Sequence, residues 1–245
     1  MLRLLSFAAF IATWWGAAFL AGDQKLPPPP IVLAAIVAEA KSGALFFHLG
    51  VTLARVALAF VLAMTLGAAL GYLMGRVRLA DRLGDPWLIL LLHLPALVVI
   101  VLAYIWAGLT EVAAIAAIAI NKLPTAVVTL REGTRTLDAT LDEMADVFAI
   151  PRWKAFRHVI LPQLAPYLAA AARSGLSLVW KIVLVAELLG RPNGVGFEIG
   201  VAFQLFDIPL LLAYSLTFAA LVLMIETALV QPIEARLSRW RRRAA

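Results

Sequence analysis

EMADVFAIPRWKAFRHVILP, residues 143–162, is the one long charged and aromatic run in a chain whose other segments are nearly pure hydrocarbon. Glu143 to Ala149 supplies good helix formers with an acidic start, which the positive end of a helix dipole favours. Pro151 interrupts it. Proline disfavours helical backbone at Ile150 yet suits the first position of a new helix, so the spacing predicts a helix, a sharp turn and a second helix from Arg152 that ends at Leu161-Pro162. On that second piece Trp153, Phe156 and Ile160 recur at helical spacing, surrounded by Arg152, Lys154, Arg157 and His158. An amphipathic hairpin of this kind either lies on a membrane surface or plugs into the groove of a soluble partner, and the pattern alone leaves both open.

The surroundings decide the fold class. With 245 residues, 63% hydrophobic and only 15% charged, and a mean hydropathy of +0.94, the chain lies far outside the range of soluble domains and reads as an all-α integral membrane protein. Its net charge of +6 does not indicate nucleic acid: membrane proteins collect Lys and Arg on the cytoplasmic side, and no nucleic-acid motif accompanies the charge. The absence of cysteine excludes disulfides and thiolate chemistry.

Apolar stretches at 4–21, 48–75, 85–107, 111–130, 164–189 and 209–230 give about six spans. The first continues through Trp14-Trp15 and reads as a helix rather than a cleaved signal peptide. Residues 27–30, all proline, read as a stiff extended spacer, and 31–40 as a short surface helix. Gly67, Gly71 and Gly75 share one helix face and invite close approach of another helix. Pro95 and Pro124 lie inside their spans and free backbone carbonyls that lipid would not tolerate, which places both helices inside the bundle.

Arg3, Arg76, Arg78, Arg82, Arg131, Arg135, Arg152, Lys154, Arg157 and the C-terminal arginines fall on one side, against Lys25, Lys41 and Arg191 on the other. That asymmetry places both termini in the cytoplasm. The expected organisation is a first helix with its proline linker (1–47), a core of about five spans (48–235) and a basic tail (236–245).

The order Glu143, Ala145, Ala149, Arg152-Trp153, Phe156-Arg157 and Ile160-Leu161-Pro162 resembles the cytoplasmic EAA loop of ABC-importer permeases. Met144 stands at that motif's first Ala and Ala149 at its turn-forming Gly, where Ile150-Pro151 follows. Further matching stretches are Thr52-Leu53-Ala54-Arg55-Val56, Asp85-Pro86, Leu94-Pro95, Gly133, and Val185-Ala186-Glu187-Leu188-Leu189-Gly190 with Gly194-Val195-Gly196. Together they make the chain similar to permeases of the nitrate/sulfonate/taurine group. The resemblance implies a type I importer fold in a bacterial inner membrane, with the loop as coupling helix in a cleft of an ATPase subunit. It also implies a second permease copy as a homodimer, two ATPase subunits carrying ATP and Mg, an external solute-binding protein, and import of a small, often anionic solute. No cofactor is implied for this chain.

A permease needs a polar route between its helices. Ser174, Ser177 and Lys181 lie three and four residues apart, on one face of an apolar helix. Lys181 there either contacts an anion or forms an ion pair, with Glu226 as the available partner. Trp180 and Glu187 share another face, as a packing seam or an outer gate. Arg55 either snorkels or lines a polar path. His93 reads first as a packing histidine and second as a path residue, because no other His or carboxylate stands at ligand spacing. A membrane-embedded hydrolase would need a nucleophile with a base or a His-Glu-x-x-His pattern, and neither is present. A secondary carrier, the alternative transport reading, would not need the EAA-like loop and would be favoured by an inverted internal repeat, which is not evident. No Gly-x-x-x-x-Gly-Lys-Ser/Thr phosphate loop occurs, so ATP hydrolysis belongs to another chain.

Overall fold

A computed structural model describes residues 2–22 and 25–232; the basic tail expected at 236–245 lies outside the described residues. Every element in them is helical: α1 (Leu2–Ala21), α2 (Pro29–Ser42), α3 (Ala44–Arg76), α4 (Arg78–His93), α5 (Ala96–Ala107), α6 (Glu111–Arg135), α7 (Ala139–Val147), α8 (Arg152–Ala155), α9 (Leu161–Gly190), α10 (Val195–Gln204) and α11 (Ile208–Ile225). π-helical turns cover Phe156–Ile160 and Glu226–Val230.

Four helices are long and apolar enough to cross a membrane: Ala44–Arg76, Glu111–Arg135, Arg152–Gly190 and Ile208–Ala228. A fifth span results if α4 and α5 are taken together, so the described residues give four or five spans and the expected six is not reached. α1 (Leu2–Ala21), the first span expected from the sequence, is 20 residues long and is not among those four or five.

The expected continuous span at 85–107 needs correcting. The helix starts earlier, at Arg78, and breaks at Leu94-Pro95, with α4 and α5 bent by 101° to each other. Pro95 has no N–H to continue α4 and pushes Leu94 into extended backbone (φ −69°, ψ 126°). In the single chain Leu83, Trp87 and Ile89 of α4 are exposed. Pro124 does sit buried in α6, the most enclosed of the four long helices.

The proline run at 27–30 is also not a uniform spacer. Only Pro27 and Pro28 precede the helix, and Pro29 and Pro30 form its first turn. First-turn N–H groups have no intrahelical acceptor anyway, and proline's fixed φ suits that position. α10, which the sequence pattern did not suggest, follows Gly194.

The chain forms two compact units. One comprises Met1–Ala54 and Leu184–Met224. In it the Trp14 indole donates to the Pro27 carbonyl (3.2 Å) and the Tyr214 hydroxyl to Glu39 (2.7 Å). The other comprises Arg55–Val183 and Ile225–Ala245, and its described part is organised around the seam of α3 and α6. There the glycine face of α3 lies on backbone and short side-chain atoms of α6: a Cβ at Gly67 would stand 2.6 Å from that of Ala126, and one at Gly71 2.6 Å from the Val127 carbonyl oxygen. One end of this seam carries a bidentate pair, with Arg55 Nε and Nη2 donating to Glu111 at 2.9 and 2.6 Å. At the other end Arg131 and Arg135 of α6 bind Asp81 and Asp85 of α4.

Candidate functional site

The charged run of 143–162 folds as a bent helical hairpin within the second unit. α7 begins at Ala139, ahead of the expected start, because Asp138 caps it: its carboxylate accepts from Thr140 N–H (2.9 Å). Gln163 Oε1 accepts the Asp138 N–H in turn (3.0 Å), tying the hairpin's start to α9. Asp142, not Glu143, is the acidic residue of the first turn, and it pairs with Arg76 at the end of α3 (2.6 Å). Glu143 is exposed, and among the described residues it has no ion pair.

The turn explains the motif's spacing. Ile150 N–H donates to Ala145 C=O (2.9 Å) and Ala149 N–H to Asp146 C=O (3.0 Å), the paired bonds of a Schellman C-cap. Such a cap needs left-handed backbone at the residue after the cap, and Ala149 supplies it with φ of +50°. Alanine therefore does here what the family's glycine does without strain. Ala145, three residues before the cap, is buried beneath the turn.

Pro151 then starts the second arm, as expected, but Leu161-Pro162 does not end it. The helix runs on from Arg152 to Gly190 without a break. The π-helical turn at Phe156–Ile160, closed by Leu161 N–H to Phe156 C=O, immediately precedes Pro162. A widened turn there accommodates a proline that lacks an N–H and crowds the carbonyl four residues back.

Phe156 faces inward and meets the Tyr72 ring edge-on (6.0 Å between centroids, 79°), while Trp153 stacks on Phe156 (6.0 Å, 23°). Arg152, Lys154 and Arg157 are exposed around them. At the tip Val147, Phe148 and Trp153 are 81%, 73% and 70% exposed. Three large apolar side chains thus stand outward on the residues flanking the turn. Val147 and Phe148 were not anticipated as site residues. Their signal lay in the sequence, as apolar positions in the last turn before a predicted break.

The candidate path residues differ in their surroundings. Arg55 is buried against Glu111. His93 is exposed at the α4–α5 break, its Nδ1 2.7 Å from Ile89 C=O. Ser174, Ser177 and Lys181 do share one exposed face of α9, the two hydroxyls donating back to Ala171 and Arg173 carbonyls. Glu226, the ion-pair partner weighed for Lys181 beside the anion-contact reading, stands 3.9 Å from Arg173, and Lys181 has no ion pair among the described residues.

Glu187 is fully buried in the first unit. It accepts from Thr52 Oγ1 (2.9 Å) and from Gly196 N–H (2.9 Å). Thr52 in turn accepts from Val195 N–H (2.8 Å), and His48 Nδ1 from Gly194 N–H (3.0 Å). The first N–H groups of α10 are thus capped by side chains of α3 and α9, with the carboxylate at the positive end of the helix dipole. Gly194 and Gly196 leave no room for a Cβ beside Glu187.

Sequence reasoning passed over Lys122. It is completely buried in mid-α6, its ammonium donates to Thr125 Oγ1 (2.9 Å), and its stem lies across Gly175 of α9. No carboxylate pairs with it among the described residues. Those residues also contain no cluster of His, Cys, Asp or Glu able to hold a metal ion.

Comparison with known proteins identifies the family. Residues 63–242 match the family model described as binding-protein-dependent transport system inner membrane component. The chain belongs to that family of ABC-transporter permeases. It is 32% identical to a probable ABC transporter permease of Brucella abortus over 99% of this chain and 96% of that one. A putative aliphatic sulfonates transport permease of Bacillus subtilis is 32% identical, covering 98% of this chain and 88% of its own length. The taurine transport system permease of Escherichia coli is 26% identical over 98% and 89%. This permease is therefore a multi-pass, all-α membrane protein and a transport subunit of an ABC importer.

Proposed function

We propose that this permease carries a small oxyanion, of the sulfonate, taurine or nitrate class, inward across the bacterial cytoplasmic membrane, driven by separate ATPase subunits that bind ATP and Mg. Permeases named for sulfonates and taurine align with nearly its whole length, and one named for nitrate import with 65% of it. Hairpin residues 139–162 point into the cytoplasm and seat the patch of Val147, Phe148 and Trp153 in an ATPase cleft, with Glu143, Arg152 and Arg157 at its polar rim. Both termini are cytoplasmic, following the arginine asymmetry.

The observation that carries the transport reading is the exposed Ser174–Ser177–Lys181 face of α9. Two hydroxyls and an ammonium cannot face lipid without cost, so that face is covered by a water-filled route and a second copy of the permease. An external binding protein delivers the solute. Reconstitution of the permease with its ATPase and binding protein in liposomes, with radiolabelled taurine, an alkanesulfonate and nitrate offered in turn, tests this. ATP-dependent accumulation of one of them that falls with Lys181→Met, at unchanged assembly, supports the reading. Accumulation without ATP, or accumulation of none of the three, contradicts it.

A further inference from the structure

We infer that the last turn of α3, through Tyr72 and Arg76, is the clamp that joins both arms of the hairpin to the membrane-spanning helices. It rests on the coupling role proposed above and names the residues that transmit it. Tyr72 and Arg76 are one helical turn apart on the same face of α3. Arg76 Nη1 donates to Asp142 Oδ2 of α7 at 2.6 Å, which holds the first arm. Tyr72 receives the edge of Phe156 at 6.0 Å, and Phe156 is stacked under Trp153, which holds the second arm. The two clamp residues also support each other, the Arg76 guanidinium lying 5.7 Å from the Tyr72 ring centroid. One face of one helix thus grips both sides of the Ala149 turn.

What α3 grips at its end it passes on along its length. From Arg55 to Arg76 the helix is fastened to α6, by the Arg55–Glu111 pair at one end and at the other by Gly67, Gly71 and Gly75 against bare α6 backbone and small side chains. Glycine contacts without intervening side chains leave little slack, so α3 and α6 transmit displacement as one body. A push on the hairpin tip therefore reaches the membrane through α3, in addition to the covalent path from α8 into α9. The Arg76–Asp142 pair is only partly shielded, its side chains 35% and 29% exposed, so it acts as a geometric strut more than as a source of fold stability.

The test uses the assembled transporter, permease with its ATPase and binding protein, in nanodiscs. ATP hydrolysis with and without the binding protein is measured for Arg76→Ala, Asp142→Ala, the exchange Arg76→Asp with Asp142→Arg, and Tyr72→Phe against Tyr72→Ala. Stimulation of hydrolysis by the binding protein should fall about fivefold or more in the two single alanine variants, the range of ordinary coupling free energies. The exchanged pair should recover most of it. Tyr72→Phe should behave as wild type and Tyr72→Ala as the uncoupled variants. Recovery by charge exchange is what a merely structural loss would not give. Undiminished stimulation in both single alanine variants, or an exchanged pair no better than either, overturns the clamp. If wild-type permease recovers no ATPase at all, it is the importer reading that fails, and the two failures are thereby distinguished.

Discussion

At Ala149 a single backbone angle sets the hairpin's geometry. Left-handed backbone costs an L-residue roughly 1–2 kcal/mol, and glycine would remove that strain while adding about 0.4–1 kcal/mol of unfolded-state entropy cost. Ala149→Gly should therefore leave the permease as stable as wild type or up to about 1.6 kcal/mol more stable, whereas Ala149→Val should be clearly destabilising. Thermal unfolding in detergent checks the order. In the buried knot of the first unit, Thr52→Val removes the acceptor of Val195 N–H and a donor to Glu187. A loss of about 1–3 kcal/mol is expected, since buried groups are left unsatisfied. Lys122 gives the opposite expectation. An ammonium without a carboxylate partner stabilises nothing by being charged, so Lys122→Met should be neutral or stabilising, while Gly175→Ala should destabilise by colliding with the lysine stem. At this scale the sequence was legible where backbone structure follows from spacing, as in the break at Pro151, and not where a residue's setting follows from burial. Lys181 drew attention over Lys122 because helical periodicity locates a face but does not say which face is enclosed.

Helices and their joints show the same division. The glycine face of α3 was readable because a four-residue repeat of glycines has one use in a membrane helix, and α6 fills it. Proline was harder, since the same residue gives four outcomes here. Pro95 breaks a span, Pro29 and Pro30 start a helix, Pro124 sits inside one, and Pro162 follows a π-helical turn in another. Which outcome occurs depends on whether a neighbouring helix or a widened turn satisfies the freed carbonyls, and that is tertiary information. α10 escaped notice because its N-terminus is capped from α3 and α9, and no local cap stands in the sequence at Gly194. Replacing Gly71 by leucine should separate α3 from α6, since even a Cβ there would meet backbone at 2.6 Å. Loss of folded protein on size-exclusion chromatography is the expected readout, with Gly16→Leu, at a position with open space around it, as the control that folds.

For the whole molecule, the account makes the membrane helices a lever and the 139–162 hairpin its handle. Long helices pressed together on glycine backbone resist internal deformation, so under the proposed function closure of two ATPases on two such handles moves permease units as bodies. That reading requires the exposed patch at Val147, Phe148 and Trp153 to be covered by a soluble partner and not by lipid. Because the chain has no cysteine, a cysteine placed at Ile150, beside the turn, is a unique probe. Photocrosslinking from it in membranes containing the whole transporter is the most direct measurement of this claim. The account predicts crosslinks to an ATPase subunit whose yield changes when ATP is added. Labelling by lipid-phase probes alone, with no ATPase recovered in either nucleotide state, would contradict it.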